Sequence, residues 1–424
     1  MRSGRAGRGA AVVVTITAVL ALSVLAGSAG SARGAATPRR VGALTDEQIV
    51  AMAPDAQARY LAPLRAAAEA LDSYGRGRGA AIFSAAGIDA NDDTVNLYVK
   101  DVGQAAAFQH AAAGAAGNID LRVVRVHAAR YTLTDLDDAV SSFLASPRHF
   151  TVRALSVNPD GSGITAEVRD DATVRSASTA EPSTGGVVIS YQPTPPGVPK
   201  SWNDVKWRDR APFIGGDVLT PDGVHYCTAG LPAVRRSDNQ PVIVTANHCF
   251  RVGTALYTAA GPTFRYGNRL RGNYVGRVSA TAPRWDAEIL PAANNADEND
   301  TNRYVPLRSV AYSLAGDYVC HSGQRSASLG HPTPCGIKVT DPDITYSFNG
   351  GTVRGVEGVD VNGWGSVNGD SGAIVFAISG PGVRQARGIV SNGGADGTPD
   401  QRRVQWTEAV DIFNQFGLKL NPVT

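Results

Sequence analysis

The stretch Asn368-Gly369-Asp370-Ser371-Gly372 brings together the residue types that acyl-transfer chemistry needs. A serine hydroxyl is a poor nucleophile at neutral pH. It reacts when a base takes its proton and backbone N–H groups receive the charge that its attack creates. Gly369 and Gly372 allow a tight turn and close approach of the backbone to a carbonyl. The N–H groups of Gly369 and Ser371 can then converge on one oxyanion. Alone, the tetrapeptide also reads as a plain turn, since Gly, Asp and Ser are the usual turn residues. The catalytic reading needs a base and an orienting acid elsewhere.

Of the seven histidines, His248 is the candidate base. It lies in Thr245-Ala246-Asn247-His248-Cys249, directly after Pro241-Val242-Ile243-Val244, an apolar run that reads as a buried strand. A base at a strand end sits on a rigid element. Its neighbour Cys249, in a chain with only four cysteines, points to a pinned loop. The candidate acid is Asp286, in Arg284-Trp285-Asp286-Ala287-Glu288-Ile289-Leu290. It heads an apolar segment behind a tryptophan, where an imidazole-orienting carboxylate should be buried. Glu288 competes with it, because on a strand the two would share a face. Asp297, Glu298 and Asp300 belong to a polar stretch, Asn294 to Asp300, that reads as a solvated loop.

The order His248, Asp286, Ser371 is that of the chymotrypsin fold and not of subtilisin or the α/β-hydrolases. From about Phe213 to the end, the chain resembles a chymotrypsin-family serine endopeptidase of the secreted bacterial type, the α-lytic protease and streptogrisin group. Phe213-Ile214-Gly215-Gly216-Asp217 resembles the start of the mature enzymes. Val319-Cys320-His321-Ser322-Gly323 with Cys335-Gly336 resembles their Cys-Arg-Ser-Gly loop. Thr352-Val353-Arg354-Gly355, Gly388 to Gly393 and Phe413 to Leu418 resemble later strands and the closing helix.

The resemblance implies an all-β fold of two six-stranded antiparallel barrels with the triad in the cleft between them. It implies disulfides Cys227–Cys249 and Cys320–Cys335. It implies that the backbone of Ser391 and Gly393 pairs with substrate as an added strand. Trypsin-like members carry an aspartate six residues before the serine, where this chain has Gly365. Glutamate-specific members carry a histidine at the position of Val390. The implied pocket, lined by Ser366, Val367, Val390 and the Gly393 backbone, therefore suits small or medium apolar side chains. His321 replaces an arginine that pairs with the aspartate before the serine, so His321 or a nearby arginine is expected to pair with Asp370. Asn247 and Ala373 also depart from the family pattern.

The elements that must position these residues follow in chain order. Arg2, Arg5 and Arg8, an apolar run from Ala10 to about Ala26 and the small residues after it read as a secretory signal peptide over 1–34. No other stretch is long and apolar enough to span a bilayer. Residues 37–200 read as a separate α/β domain. Thr45-Asp46-Glu47-Gln48 is a capping box opening a helix that stops near Gly75. Thr94–Val99 and Leu121–Val126 read as strands, Ala105–Ala113 and Thr134–Leu144 as helices, and Val152–Val157 with Ile164–Val168 as a hairpin. The Pro-rich run Gln192 to Pro199 reads as an extended linker. Residues 201–424 are then the protease, ending in a helix from Thr407 to Phe416 capped by Thr407. By resemblance, 37–200 is a propeptide, acting as intramolecular chaperone and inhibitor. A double barrel folds slowly, which gives such a helper a purpose. Its removal falls between about Gly185 and Phe213.

The formal net charge is +2 and no basic run occurs, which leaves no case for nucleic acid. Four cysteines allow three pairings. A zinc site is disfavoured, because Cys-x-x-Cys is absent and export favours oxidation. The expectation is thus a secreted serine endopeptidase, monomeric once mature, acting on protein or peptide without cofactor or metal. A catalytically silent homologue that binds protein is the alternative, and an esterase shares the chemistry but usually has another triad order.

Overall fold

The computed structural model describes residues 44–117, 119–146, 152–168, 181–182, 186–193, 198–199, 206–207, 209–259, 271–300, 303–348 and 350–421. The signal-peptide segment lies outside them, as do residues 194–197 of the linker and residues 200–205 after it. Residues 43–424 form one compact unit.

The N-terminal part opens as its capping box predicts. Thr45 accepts the Gln48 N–H through its hydroxyl, and Gln48 accepts the Thr45 N–H through its side chain. The single expected helix is two, α1 (Asp46–Val50) and α2 (Pro54–Arg76), with Pro54 in the favoured first position of α2 and Pro63 inside it. Leu61, Leu64, Ala68 and Leu71 form the apolar stripe of α2. That stripe packs on a three-stranded sheet of β1 (Phe83–Asp89), β2 (Thr94–Val99) and β3 (Val124–Ala128). The strand expected from Leu121 starts later. Asp120 caps the Arg122 N–H and turns Leu121–Val123 into a 3-10 turn. Helices α3 (Ala105–Ala116) and α4 (Leu133–Ala145) stand where expected.

β4 (Val152–Val157) and β5 (Ile164–Val168) form the expected hairpin, and β6 (Val188–Pro193) adds to β5 in parallel. The hairpin does not end its own sheet. β4 pairs antiparallel with a long strand of the second half, Cys335–Phe348, Thr345 facing Leu155. A two-residue strand, β7 (Val198–Pro199), pairs with a strand near the C-terminus, described below.

The second half begins at β8 (Phe213–Gly215) and β9 (Cys227–Thr228). A five-stranded sheet joins Ala280–Ala282, β12 (Ala287–Pro291), β11 (Pro241–Ala246), β10 (Pro232–Arg235) and the C-terminal β21 (Leu418–Leu420). Two two-stranded sheets pair Val218–Leu219 with β9 and Ala255–Ala259 with Arg271–Arg277, and further strands are β13 (Asn294–Asp300), β14 (Arg303–Val310), β15 (Tyr318–Ser322), β16 (Cys335–Phe348), β17 (Gly351–Asp360), β18 (Ile374–Gly380), β19 (Val383–Gly393) and β20 (Arg403–Glu408). Pairings run β16–β15–β18–β19–β20–β17 and back to β16. Two junctions are parallel rather than antiparallel, β13 with β8 and β14 with β19.

Two local expectations need correction. Asn294–Asp300 is not a solvated loop but strand β13, with Asn294, Ala296 and Glu298 turned inward. Burial and the neighbouring Asp300 raise the Glu298 carboxyl to about 8. The C-terminal helix α5 spans Ala409–Phe416, and Thr407 is the buried penultimate position of β20 instead of its cap. Gly417 ends the helix with φ 63°.

The core crosses the boundary between the halves. Ala58 of α2 packs into the cluster built on Val242, Val244, Ile374 and Phe376. Leu314 and Tyr318 pack into the cluster under α2.

Candidate active site

Val242, Ile243, Val244 and Ala246 of β11 are fully buried and fix the strand end from which Asn247-His248-Cys249 leaves. The Cys227–Cys249 disulfide ties this loop to β9. Asp286 closes a 3-10 turn, Pro283–Trp285, with φ 40°, so the chain reverses there and β12 starts one residue later. Asp286 is 2% exposed. Its backbone carbonyl accepts the Asn247 N–H at 2.9 Å, and Oδ1 accepts the His248 N–H at 2.9 Å. Its Oδ2 meets His248 Nδ1 at 2.7 Å and accepts the Ser391 hydroxyl at 2.5 Å. The other ring nitrogen, Nε2, lies 2.8 Å from Ser371 Oγ.

Three side chains separated by 38 and 123 positions from His248 outward are thus joined by hydrogen bonds. The Asp286 contact sets which imidazole nitrogen carries hydrogen: Nδ1 donates to the carboxylate, which leaves Nε2 to accept from the serine. The Phe348 ring stands edge-on to the imidazole at 4.9 Å and 77°.

The serine turn is equally fixed. Gly369 has φ 112° and Gly372 φ 85°. A Cβ on Gly372 would lie 2.2 Å from Thr245 Oγ1 and 2.4 Å from the Thr228 carbonyl. The Gly369 carbonyl accepts the Thr228 hydroxyl at 2.8 Å, the Ser371 carbonyl accepts the Thr228 N–H at 2.8 Å, and the Gly372 N–H donates to Val390 at 2.7 Å. Among the described residues nothing accepts the Gly369 N–H. Ala373 is buried in the core between β18 and β19, so its methyl is absorbed there.

Glu288, the competing carboxylate, is fully buried, and among the described residues neither of its oxygens has a hydrogen-bond partner. Burial, with repulsion from Asp286 second, pushes its carboxyl up to about 9. The structure gives the imidazole to Asp286. The expected Asp370 partner also differs. His321 Nε2 lies 2.7 Å from the Gly365 carbonyl, and the Asp370 carboxylate accepts from Val367, Arg325 and Ser326.

Ser366, Val367 and Val390 are all buried, and Val390 packs with Val404 and Trp406 in the core. Both predicted disulfides are closed, Cys227–Cys249 and Cys320–Cys335. The grouping of Cys227, Cys249 and His248 is no metal site, because the disulfide leaves no thiolate and His248 is engaged.

Three contributors carry no sequence signal. The Ser391 side chain, expected only for its backbone, grips Asp286. Thr228 holds the serine turn from 141 positions away. Lys206 is buried, its ammonium bonded to Ser322 Oγ at 2.6 Å and to the Asn299 carbonyl. Burial lowers the amine's pKa against the opposing pull of Glu298 and Asp217.

No family model matches this chain, and no curated protein matches it. Solved structures do. The Nocardiopsis protease NAPase is 24% identical, over 49% of this chain and 98% of its own, with a TM-score of 0.37. A glutamic acid specific serine protease is 21% identical, over 49% of this chain and 100% of its own, with a TM-score of 0.39. Thermobifida fusca Protease A is 21% identical, over 49% and 98%, with a TM-score of 0.37.

Proposed function

We propose that the chain is an exported serine endopeptidase of chymotrypsin type, with its second half as the two barrels and residues 37–200 as a propeptide. The observation that carries this is the line of hydrogen bonds from Asp286 through His248 to Ser371, at 2.7 and 2.8 Å. His248 takes the Ser371 proton as the hydroxyl attacks a peptide carbonyl. Asp286, steadied by Ser391, holds the tautomer and stabilises the imidazolium. The Gly369 and Ser371 amides hold the oxyanion, at about 3–4 kcal/mol per donor in a well-studied hydrolase. His248 then gives its proton to the leaving amine, and water repeats the sequence on the acyl-enzyme. No step requires a cofactor.

The cleft supports the propeptide reading. β7 runs antiparallel to β19, with Val198 opposite Gly393 and Pro199 opposite Asn392. Its direction leads toward Ser391, which touches Asp286. This is the strand addition expected of a substrate, made by the chain's own linker. Lys206, further on, is bonded inside the second half. Scission therefore falls between Pro199 and Lys206.

The test is secreted protein treated with a fluorophosphonate, then mapped and sequenced from its N-terminus. Label on Ser371, lost in Ser371→Ala, with a new N-terminus between residues 200 and 206, is the expected result. Absence of label from folded protein returns the chain to the alternative of a silent homologue that binds protein. The pocket residues favour small or medium apolar side chains. A peptide-library profile dominated by Glu, Arg or Lys overturns that preference, and Lys is the sharper rival because Lys200 follows Pro199.

A further inference from the structure

The turn that presents Ser371 is held by a carboxylate, and that carboxylate is held in part by a hydroxyl. Asp370 is fully buried. Its Oδ1 accepts the N–H groups of Arg325 at 3.1 Å and Ser326 at 2.9 Å. Its Oδ2 accepts the Val367 N–H at 2.9 Å and the Ser326 hydroxyl at 2.5 Å. Among the described residues no cation stands within ion-pair distance of it. The Ser326 hydroxyl also accepts the indole N–H of Trp364 at 3.0 Å, and His331 stacks on that indole at 3.8 Å. The fit is close on this side. A Cβ on Gly323 would fall 2.1 Å from Asp370 Oδ1.

We propose that Ser326 is a positioning residue for the oxyanion turn. Through Asp370 it fixes where the Gly369 and Ser371 amides stand. The inference rests on the endopeptidase reading and adds a residue to it. Thr228 holds the Gly369 and Ser371 carbonyls from one side. Asp370, between those two residues, is pulled from the other side by the 325–326 segment. The amides must stay within about 0.5 Å of their productive place to stabilise an oxyanion, so slack at Asp370 reaches them directly. A hydroxyl donating to a buried carboxylate makes one of the stronger hydrogen bonds. Removing it leaves Oδ2 with a single donor and the Trp364 N–H without its acceptor. Among the described residues, the Asp370 donors all come from residues 325–367. The turn is therefore set before any scission of the linker.

The test compares Ser326→Ala with the parent as secreted full-chain products. Turnover is read on succinyl-Ala-Ala-Pro-X p-nitroanilides, and the limiting rate of fluorophosphonate attack is read separately from probe affinity. Ser326→Ala is expected to lower kcat and the limiting phosphonylation rate by about 10- to 100-fold, with KM within about twofold. Ser326→Cys, a weaker donor, is expected to fall between the two. If Ser326→Ala is not secreted, the cysteine variant against the parent carries the same comparison. A kcat within twofold of the parent, or a KM that rises as far as kcat falls, overturns the role. A parent that neither labels nor turns over sinks the endopeptidase reading instead.

Discussion

Asp286 and Glu288 are both buried and stand two residues apart, yet only Asp286 has donors. Glu288 answers burial by keeping its proton, with a carboxyl at about 9 against an ordinary value of 4.5. A raised folded value means the folded state holds the proton longer than the unfolded chain. The stability it confers is whole below about pH 4.5 and drains as pH rises toward 9. By pH 7 the loss is on the order of 3 kcal/mol. In an inactive Ser371→Ala background, Glu288→Gln should therefore melt well above its parent at pH 8 and close to it at pH 4. Melting curves with the same gap at both pH values would refute this. At this scale the sequence spoke clearly where residue type and chain order coincide, as for His248, Asp286 and Ser371. It was silent on Ser326. A serine in Gln324-Arg325-Ser326-Ala327 looks like any other, and its partner is 44 positions away.

Short elements were read from local chemistry, and the misreadings have local causes. The capping box at Thr45 marks a real helix start, because both reciprocal bonds lie within four residues, whereas the helix expected from Thr134 is capped two residues earlier by Thr132. Asn294–Asp300 was misread because polarity usually signals solvent. Here Asn294 spends its amide on three backbone carbonyls, and Arg384 approaches Glu298 at 3.7 Å. Thr407 was misread because an N-cap and a strand end look alike when the strand runs straight into the helix. The loop carrying His248 depends on β11 and on the Cys227–Cys249 bond, which spans 22 positions. Replacing both cysteines by serine should lower the stability of the inactive Ser371→Ala protein by about 3 kcal/mol. The same change in active protein should cut turnover, since His248 adjoins the freed residue. Denaturation midpoints and kcat check the two halves of this prediction, and unchanged turnover would show that Asp286 alone holds the loop.

Across the whole molecule, charge pairs, the central ones buried, fasten the N-terminal part to the rest. Arg65 of α2 pairs with Asp317 at 2.8 Å and donates to the Tyr318 carbonyl at 2.9 Å. Arg387 reaches both Asp317 and Glu69. Arg354 joins Asp137, and Lys338 joins Asp46. None of this was legible, because each of Arg65, Glu69, Asp137 and Asp46 lies more than 200 positions from its partner and periodicity carries no such information. Arg65→Ala leaves Asp317 with one cation fewer in a dry site. It should cost the inactive full chain about 3–5 kcal/mol. Urea unfolding measures this, and an unmoved midpoint would mean the pair contributes nothing.

The two residues of β7 lie against Asn392 and Gly393 while remaining covalently part of the same polymer. A tethered segment has a local concentration that the surrounding volume does not change. If the segment acts as the proposed propeptide, dilution would strip a separate chain from the groove but leaves a tethered one in place. Only cutting the tether turns its grip into an ordinary equilibrium, after which distance and competition begin to count.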